Sequence, residues 1–476
     1  MFDLSQFRSQ IKELLVSTNP LVIFFVVLTL LFGTCVIFIT PPFQGPDEDI
    51  HFTTCWKIVH GDFTRSVPQS LAAFSHEHGY LLYHPERKYT FDKWQKSLKW
   101  APIQKEKNYI YNRITFYAAF SYLPALTGVG LSSIFTQRYL PALYMGRICC
   151  LLAYIILGAL ALHFCPSCKA VIFLLLMMPQ TIYQSSVISY DGVTNGMICL
   201  WAVLLFRDIF TVAPNAKSLS TPLIVCSILL CLCKVPYMIV LGSLLLLLLK
   251  KDLRNKRKIW VPLICSLLVL VLTISLKKFM TDLPLPENAE LFTRIMAPGK
   301  GSVDTLVEHV DKSPLEVLLQ FPSLLFSTLT DGNKLMIYIG SFSGCLGALD
   351  TLLPPILLSS YLLLILFFCI TSENSLSLQG RLYFLLCGLG LAGMIFMIFA
   401  ITYEPSNGTI PGITGRYFIP SSFLLALAMS NAFITFQWMP KIENVLAITG
   451  SSIIGITMII TLLQRYYFNY WWERTI

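Results

Sequence analysis

Residues 21–40 carry no charged side chain, and runs of similar length and apolarity return along the chain as far as residue 463. About 20 apolar residues is what an α-helix needs to cross a bilayer, and a backbone in lipid must satisfy its own hydrogen bonds. This feature alone commits the chain to an all-α polytopic membrane fold. Composition agrees, because 476 residues that are 55% hydrophobic and 13% charged, with mean hydropathy +0.66, lie outside the range of soluble domains. The excess of 35 Lys and Arg over 26 Asp and Glu sits in short polar segments without a basic tail. It therefore reports topology, and no nucleic-acid partner is expected. Most of the 14 cysteines fall inside apolar runs, where they act as small hydrophobes rather than a disulfide framework. Cys165-Pro166-Ser167-Cys168 has the spacing of half a zinc or redox site, and no second half is visible.

Arg8 and Lys12 precede the first apolar run, which lacks a small-residue cleavage site, so that run reads as a retained span with the N-terminus in the cytosol. The basic block from Lys250 to Lys258 is a second cytosolic anchor. Two threadings satisfy both. In the first, 115–135 is re-entrant, spans run at 139–162, 170–189 and 192–211, and 221–249 is a hairpin broken at Lys234-Val235-Pro236-Tyr237. In the second, 115–135 spans and 221–249 is one helix that buries Lys234 at about 2.5–3.5 kcal/mol, which favours the first. Further spans at 259–276, 354–371, 382–402, 417–437 and 444–463 bring the total to about eleven transmembrane helices in a single membrane domain over 1–476, with the C-terminus outside. Large outer, periplasmic loops are expected at 41–114 and 277–353 and a smaller one at 403–416. The closing Tyr466-Tyr467-Phe468-Asn469-Tyr470-Trp471-Trp472 reads as an interfacial aromatic belt.

Directly after the first run comes Pro41-Pro42-Phe43-Gln44-Gly45-Pro46-Asp47-Glu48-Asp49-Ile50-His51-Phe52. Proline suits the first position of a helix, carboxylates suit its first turn and Gly61 suits its C-terminal cap, so residues 46–60 read as one helix. Phe52, Val59 and Cys55 or Trp56 share a face apart from Asp47, His51 and Thr54, which predicts an amphipathic helix lying on the membrane surface. Asp47 and Glu48 point about 100° apart, so only one faces a given pocket squarely. In the favoured threading Asp47, Glu48, His51, Asp191, Lys234, Asp350 and Arg416 all fall on one side of the membrane. The bland readings are a helix cap for the acids and for Asp191, snorkelling for Lys234 and Arg416, and an interfacial hydrogen bond for His51.

The series Pro46-Asp47-Glu48-x-x-His51-Phe52, Gln180-Thr181-x-x-x-Ser185-x-x-x-Ser189-Tyr190-Asp191, Lys234-x-Pro236-Tyr237, Leu346-Gly347-x-x-Asp350 and Gly415-Arg416-Tyr417-Phe418-x-Pro420 resembles the motifs of a bacterial membrane family catalogued as domain of unknown function 2142. The resemblance covers nearly the whole chain. That family is similar to the GT-C superfamily of glycosyltransferases, some of which resemble phage-type serotype-converting enzymes that glucosylate O-antigen. The resemblance implies a GT-C-like fold in the bacterial inner membrane with a periplasmic site, where an acidic residue early in the first outer loop acts as base. It also implies a polyprenyl-phosphate-linked sugar donor, with glucose the first candidate, and a lipid-linked or surface glycan acceptor. Asp49 departs from the small or proline residue usual after this motif and adds a third carboxylate.

The residue types suit that chemistry. A hydroxyl attacking an anomeric carbon through an oxocarbenium-like transition state needs a carboxylate to take its proton, a role for Asp47 or Glu48. A phosphate leaves as an anion and needs positive charge rather than an acid, a role for Arg416 and Lys234. His51, Asp191, Tyr237 and Asp350 are the candidates for holding sugar or acceptor. A divalent cation on Asp47, Glu48 or His51 stays open, as no ligand set has convincing spacing. A lipid-linked glycan flippase or an O-antigen polymerase or ligase is the alternative; a transporter should show internal repeats or broken helices near mid-bilayer.

Overall fold

The structure is a computed structural model and describes residues 19–64, 66–103, 108–110, 119–211, 218–233, 240–249, 253, 256–281, 290–291, 314–373, 375–405, 407–430 and 439–468. Lys234 and Tyr237 lie outside these. The helices are α1 (Pro20–Ile39), α2 (Glu48–Val59), α3 (Gln69–Gly79), α4 (Phe91–Ser97), α5 (Ala119–Phe135), α6 (Tyr139–Phe164), α7 (Lys169–Leu176), α8 (Pro179–Ser185), α9 (Asp191–Leu205) and α10 (Thr221–Cys231). They continue with α11 (Trp260–Thr281), α12 (Pro314–Thr330), α13 (Gly332–Ser343), α14 (Pro355–Thr371), α15 (Leu378–Thr402), α16 (Ile419–Met429) and α17 (Met439–Tyr466). Among the described residues, six helices are long and apolar enough to cross a membrane, at Pro20–Ile39, Tyr139–Phe164, Asp191–Phe210, Lys256–Ser275, Leu378–Thr402 and Ile442–Tyr466.

Close packing gives the helices their directions. Leu151 lies against Gly33 and Phe25 against Gly158, so α6 runs antiparallel to α1. A Cβ on Gly128 would sit 2.3 Å from the Met145 carbonyl, so glycine there lets α5 lie directly on the α6 backbone, again antiparallel. Helix α5 therefore rises toward the end of the bundle where α1 stops, here called the acidic end. The chain leaves that end at Thr40 and is back there at Phe135. Pro124 is accommodated inside α5 without ending it. Gly455 against Phe32, and the Tyr467 hydroxyl donating to the Ile39 carbonyl (2.9 Å), make α17 parallel to α1, so it too finishes at the acidic end.

Several expectations change. The run at 170–189 is not one helix: α7 stops at Leu176, and Pro179 opens the seven-residue α8, so the chain is broken at Met177-Met178 inside the core. The loop at 277–353 holds two helices, α12 and α13, with Asp331 capping α13 by accepting from the Asn333 and Lys334 amides. Leu319, Phe326 and Met336 are exposed on this pair, an apolar surface that an aqueous loop would not carry. Helix α2 is not a surface helix, because Ile50 through Lys57 are all buried. Its polar face is covered by protein, with His51 against Tyr122 and Tyr190. The Lys57 ammonium donates to the Asp62 carboxylate (2.7 Å) and the Ser66 carbonyl. Tyr466 is buried rather than part of an exposed belt, and residues 469–476 lie outside the described ones.

Short strands tie the acidic end together. β1 (Ser66–Pro68) pairs antiparallel with β2 (Asn108–Ile110), which pairs parallel with β3 (Glu290–Leu291) and so joins the first two large loops. β4 (Cys345–Leu346) and β5 (Thr351–Leu352) form a hairpin around Gly347 and Asp350.

Candidate functional site

The residues between α1 and α2 form a sharp elbow, and its two carboxylates go to opposite fates. Glu48 begins α2 and turns inward. Its Oε1 accepts from Arg147 Nε (2.7 Å) and the Ile188 amide (3.0 Å), and its Oε2 accepts from Arg147 Nη2 (2.6 Å) and the Gly45 amide (3.4 Å). Arg147, which sits on α6, spends its remaining donors on the carbonyls of Ile37 (2.9 Å), Thr40 (2.7 Å) and Pro41 (3.0 Å). A guanidinium has five N–H donors, so every one is used, three of them at the C-terminal end of α1 where helix carbonyls lack partners. Both side chains are fully buried. Glu48 is saturated as an acceptor and has no position left for a substrate proton.

Asp47 turns the other way. It occupies the N-cap position of α2 in the left-handed region (φ 57°) and makes no side-chain cap to that helix. Aspartate tolerates this conformation better than most residues, and its use here aims the carboxylate away from the helix. Its Oδ2 accepts from Arg416 Nη2 at 3.0 Å, while its side chain remains 47% exposed. The same Nη2 donates to the Tyr417 hydroxyl (3.0 Å), and the guanidinium carbon lies 5.0 Å from that ring's centre. Arg416 Nε is buried and has no partner among the described residues. Burial opposes the charge of Arg416, but Tyr417, Asp47 and Asp191 outweigh it and hold the guanidinium above its usual range.

Backbone fit places Arg416. A Cβ on Gly415 would lie 1.8 Å from the Tyr338 carbonyl, and the Gly415 amide donates to the Ser341 hydroxyl (2.6 Å), so the 415–418 turn is pressed onto α13. Only glycine permits that approach. On the facing side Asp191 starts α9, its amide donating to the Ser189 hydroxyl (3.0 Å). His51 Nδ1 meets the Tyr122 hydroxyl, and its ring packs edge-on to Tyr190 with centres 4.6 Å apart.

The structure thus brings Asp47, Asp191 and Arg416 together, with His51, Tyr122 and Tyr190 also at the acidic end. Asp350 is drawn elsewhere. It accepts from Arg465 Nη2 (2.9 Å), the Tyr83 amide (3.2 Å) and the Thr351 hydroxyl (2.9 Å), and a Cβ on Gly347 would fall 2.2 Å from its Oδ1. Like Glu48 it is built into the frame. Among the described residues no group of three or more His, Cys, Asp or Glu is arranged to hold a metal ion, and Asp47, Glu48 and His51 do not form one.

Sequence reasoning missed Arg147, Tyr122 and Arg465. Arg147 had a signal, since a lone arginine inside an apolar helix needs a buried anion, and Asp47 and Glu48 are the first acids to follow the first span. Comparisons with curated proteins and with solved structures gave no match. Residues 30–425 match a family model described as a predicted membrane protein, and the chain belongs to that family, domain of unknown function 2142.

Proposed function

We propose that this protein is an inverting glycosyltransferase that moves a sugar from a polyprenyl-phosphate carrier to a glycan, with Asp47 as the base and Arg416 as the phosphate-binding cation. The carrying observation is the Asp47–Arg416 pair: a half-exposed carboxylate 3.0 Å from a buried guanidinium whose Nε has no partner among the described residues. A carboxylate oxygen that already accepts from arginine is not free to take a substrate proton. When the carrier phosphate enters, it competes for Arg416 and releases Asp47. The acceptor hydroxyl then attacks the anomeric carbon, its proton passes to Asp47, and the carbon–oxygen bond to phosphate breaks, so that polyprenyl phosphate leaves as an anion held by Arg416. One displacement inverts the anomeric centre. Asp191 is the candidate for holding substrate hydroxyls.

In this reading the fold is GT-C-like, with about eleven crossings in a bacterial inner membrane and the acidic end in the periplasm. The exposed apolar faces of α12 and α13 suit the lipid tail of the donor. A flippase reading draws on the broken helix at Met177-Met178. The mass of the cell-surface glycan separates them. A transferase adds a hexose when the chain is expressed, and Asp47→Asn removes that shift while the protein still reaches the membrane. A glycan of unchanged mass with the wild-type chain, or one still modified by Asp47→Asn, overturns the proposal.

A further inference from the structure

The break between α7 and α8 leaves buried amides with nothing to bond. Gln180 and Gln184 lie one turn apart on α8 and are essentially inaccessible. Both amide atoms of Gln180 and the Nε2 of Gln184 have no hydrogen-bond partner among the described residues, and the remaining Gln184 Oε1 accepts from Asn195 Nδ2 at 3.3 Å. Tyr183, on the same stripe, donates to the Gln44 carbonyl (3.1 Å), three residues before Asp47. Asn195 is one turn along α9 from Asp191, whose charge acts on Arg416. A Cβ on Gly192 would lie 2.7 Å from Ser185 Cα, so α8 and α9 are in direct contact here. The amides therefore lie along the seam of these two helices, linked toward Asp47 through Tyr183 and Gln44 and toward Asp191 through Asn195.

Their chemistry selects the ligand. Gln180 presents a free donor and a free acceptor side by side, whichever way its amide is turned. An anion is repelled by the carbonyl, a cation by the amino group, and a lipid tail satisfies neither. A hydroxyl donates and accepts at once, and a ring bearing several hydroxyls satisfies all three atoms. We propose that Gln180 and Gln184 form the subsite for the sugar ring of the carrier-linked donor, an inference that rests on the transferase reading above.

The test uses the full chain in lipid nanodiscs with nerylphosphoryl glucose, galactose and mannose as probes, and neryl phosphate as the sugar-free control. Wild type should bind at least one sugar-bearing probe more tightly than neryl phosphate. Gln180→Met and Gln184→Met, which keep the side-chain volume, should weaken that probe by about tenfold or more, the loss of one or two good hydrogen bonds. Neryl phosphate binding should not change. Gln180→Met should melt no lower than wild type, because neither amide atom it removes has a partner among the described residues, whereas Gln184→Met also gives up the bond from Asn195. Unchanged sugar binding together with a lower melting temperature would identify amides held by water in a structural role and overturn the subsite alone. Wild type that fails to distinguish sugar-bearing probes from neryl phosphate also overturns it. Wild type that binds none of the four overturns the transferase reading with it.

Discussion

The acidic end holds two arginine–carboxylate pairs whose acids are neighbours in sequence, and they differ in almost every respect. Arg147 and Glu48 are both fully buried, joined by two hydrogen bonds, and every donor and acceptor around them is used. Arg416 and Asp47 share one hydrogen bond, the acid is half exposed, and the Arg416 Nε has no partner among the described residues. The first pair builds the elbow and the second is presented by it. Two acids one residue apart can serve opposite purposes because the left-handed turn at Asp47 sends them to different sides of the chain. The Asp350–Arg465 pair is buried like the first but is joined by a single hydrogen bond like the second.

The contrast is sharpest in stability. Arg147→Met should destabilise the protein by about 3–5 kcal/mol, since it leaves Glu48 charged and buried without its partner. Thermal unfolding in detergent followed by tryptophan fluorescence reads this, and the double change Arg147→Met with Glu48→Met should recover most of the loss. A single variant that melts like wild type would break the distinction. Glu48→Gln should likewise disturb folding, so loss of activity in that variant would not identify a base.

A second measurement exploits His78, on the closed side, which packs against Phe43 and Phe74 and whose carbonyl accepts from Gln44 Nε2 (3.0 Å). Burial lowers its imidazole from 6.5 to about 4. A lowered histidine pKa means that the unfolded chain takes up a proton before the folded one does. Stability is therefore complete above about pH 6.5 and falls as the pH drops toward 4, by about 2 kcal/mol at pH 5. His78→Gln should flatten the melting temperature between pH 7 and pH 5, and an equally steep profile in that variant would exclude His78 as the cause. The smallest effect is expected at the open pair. Asp47→Asn should change stability by less than about 1 kcal/mol, because a half-exposed ion pair contributes little. A larger drop would move Asp47 into the frame with Glu48.

Much of this was legible in the sequence. Charge-free apolar runs announce helices in lipid, and the polar residues tight against those runs mark the end at which Asp47, Asp191 and Arg416 gather. Pairings made across the bundle were not legible. The spacing of Phe52 and Val59 assigned water to the opposite face of α2, but a periodic pattern cannot say that Tyr122 and Tyr190 will cover His51 there. Glu48 and Arg147 are 99 positions apart, and nothing local in either segment fixes their register. The break at Met177-Met178 was hidden because apolar residues continue through it and only Pro179 marks the restart. The helices of 314–343 were read as loop because Pro322 and Asp331 interrupt the apolar sequence and neither helix reaches the length of a span.

The reach of Arg147 back to the first crossing also bears on how the chain is made. The elbow emerges about a hundred residues before Arg147 is synthesised, so until then Glu48 stays hydrated and the last turn of α1 lacks its cap. Once α6 is in place, the carboxylate and three carbonyls receive its arginine, which offsets the cost of removing that charge from water. Closure of the elbow therefore waits for α6, and the end of the first crossing takes its final form only when a residue 99 positions after Glu48 is in place.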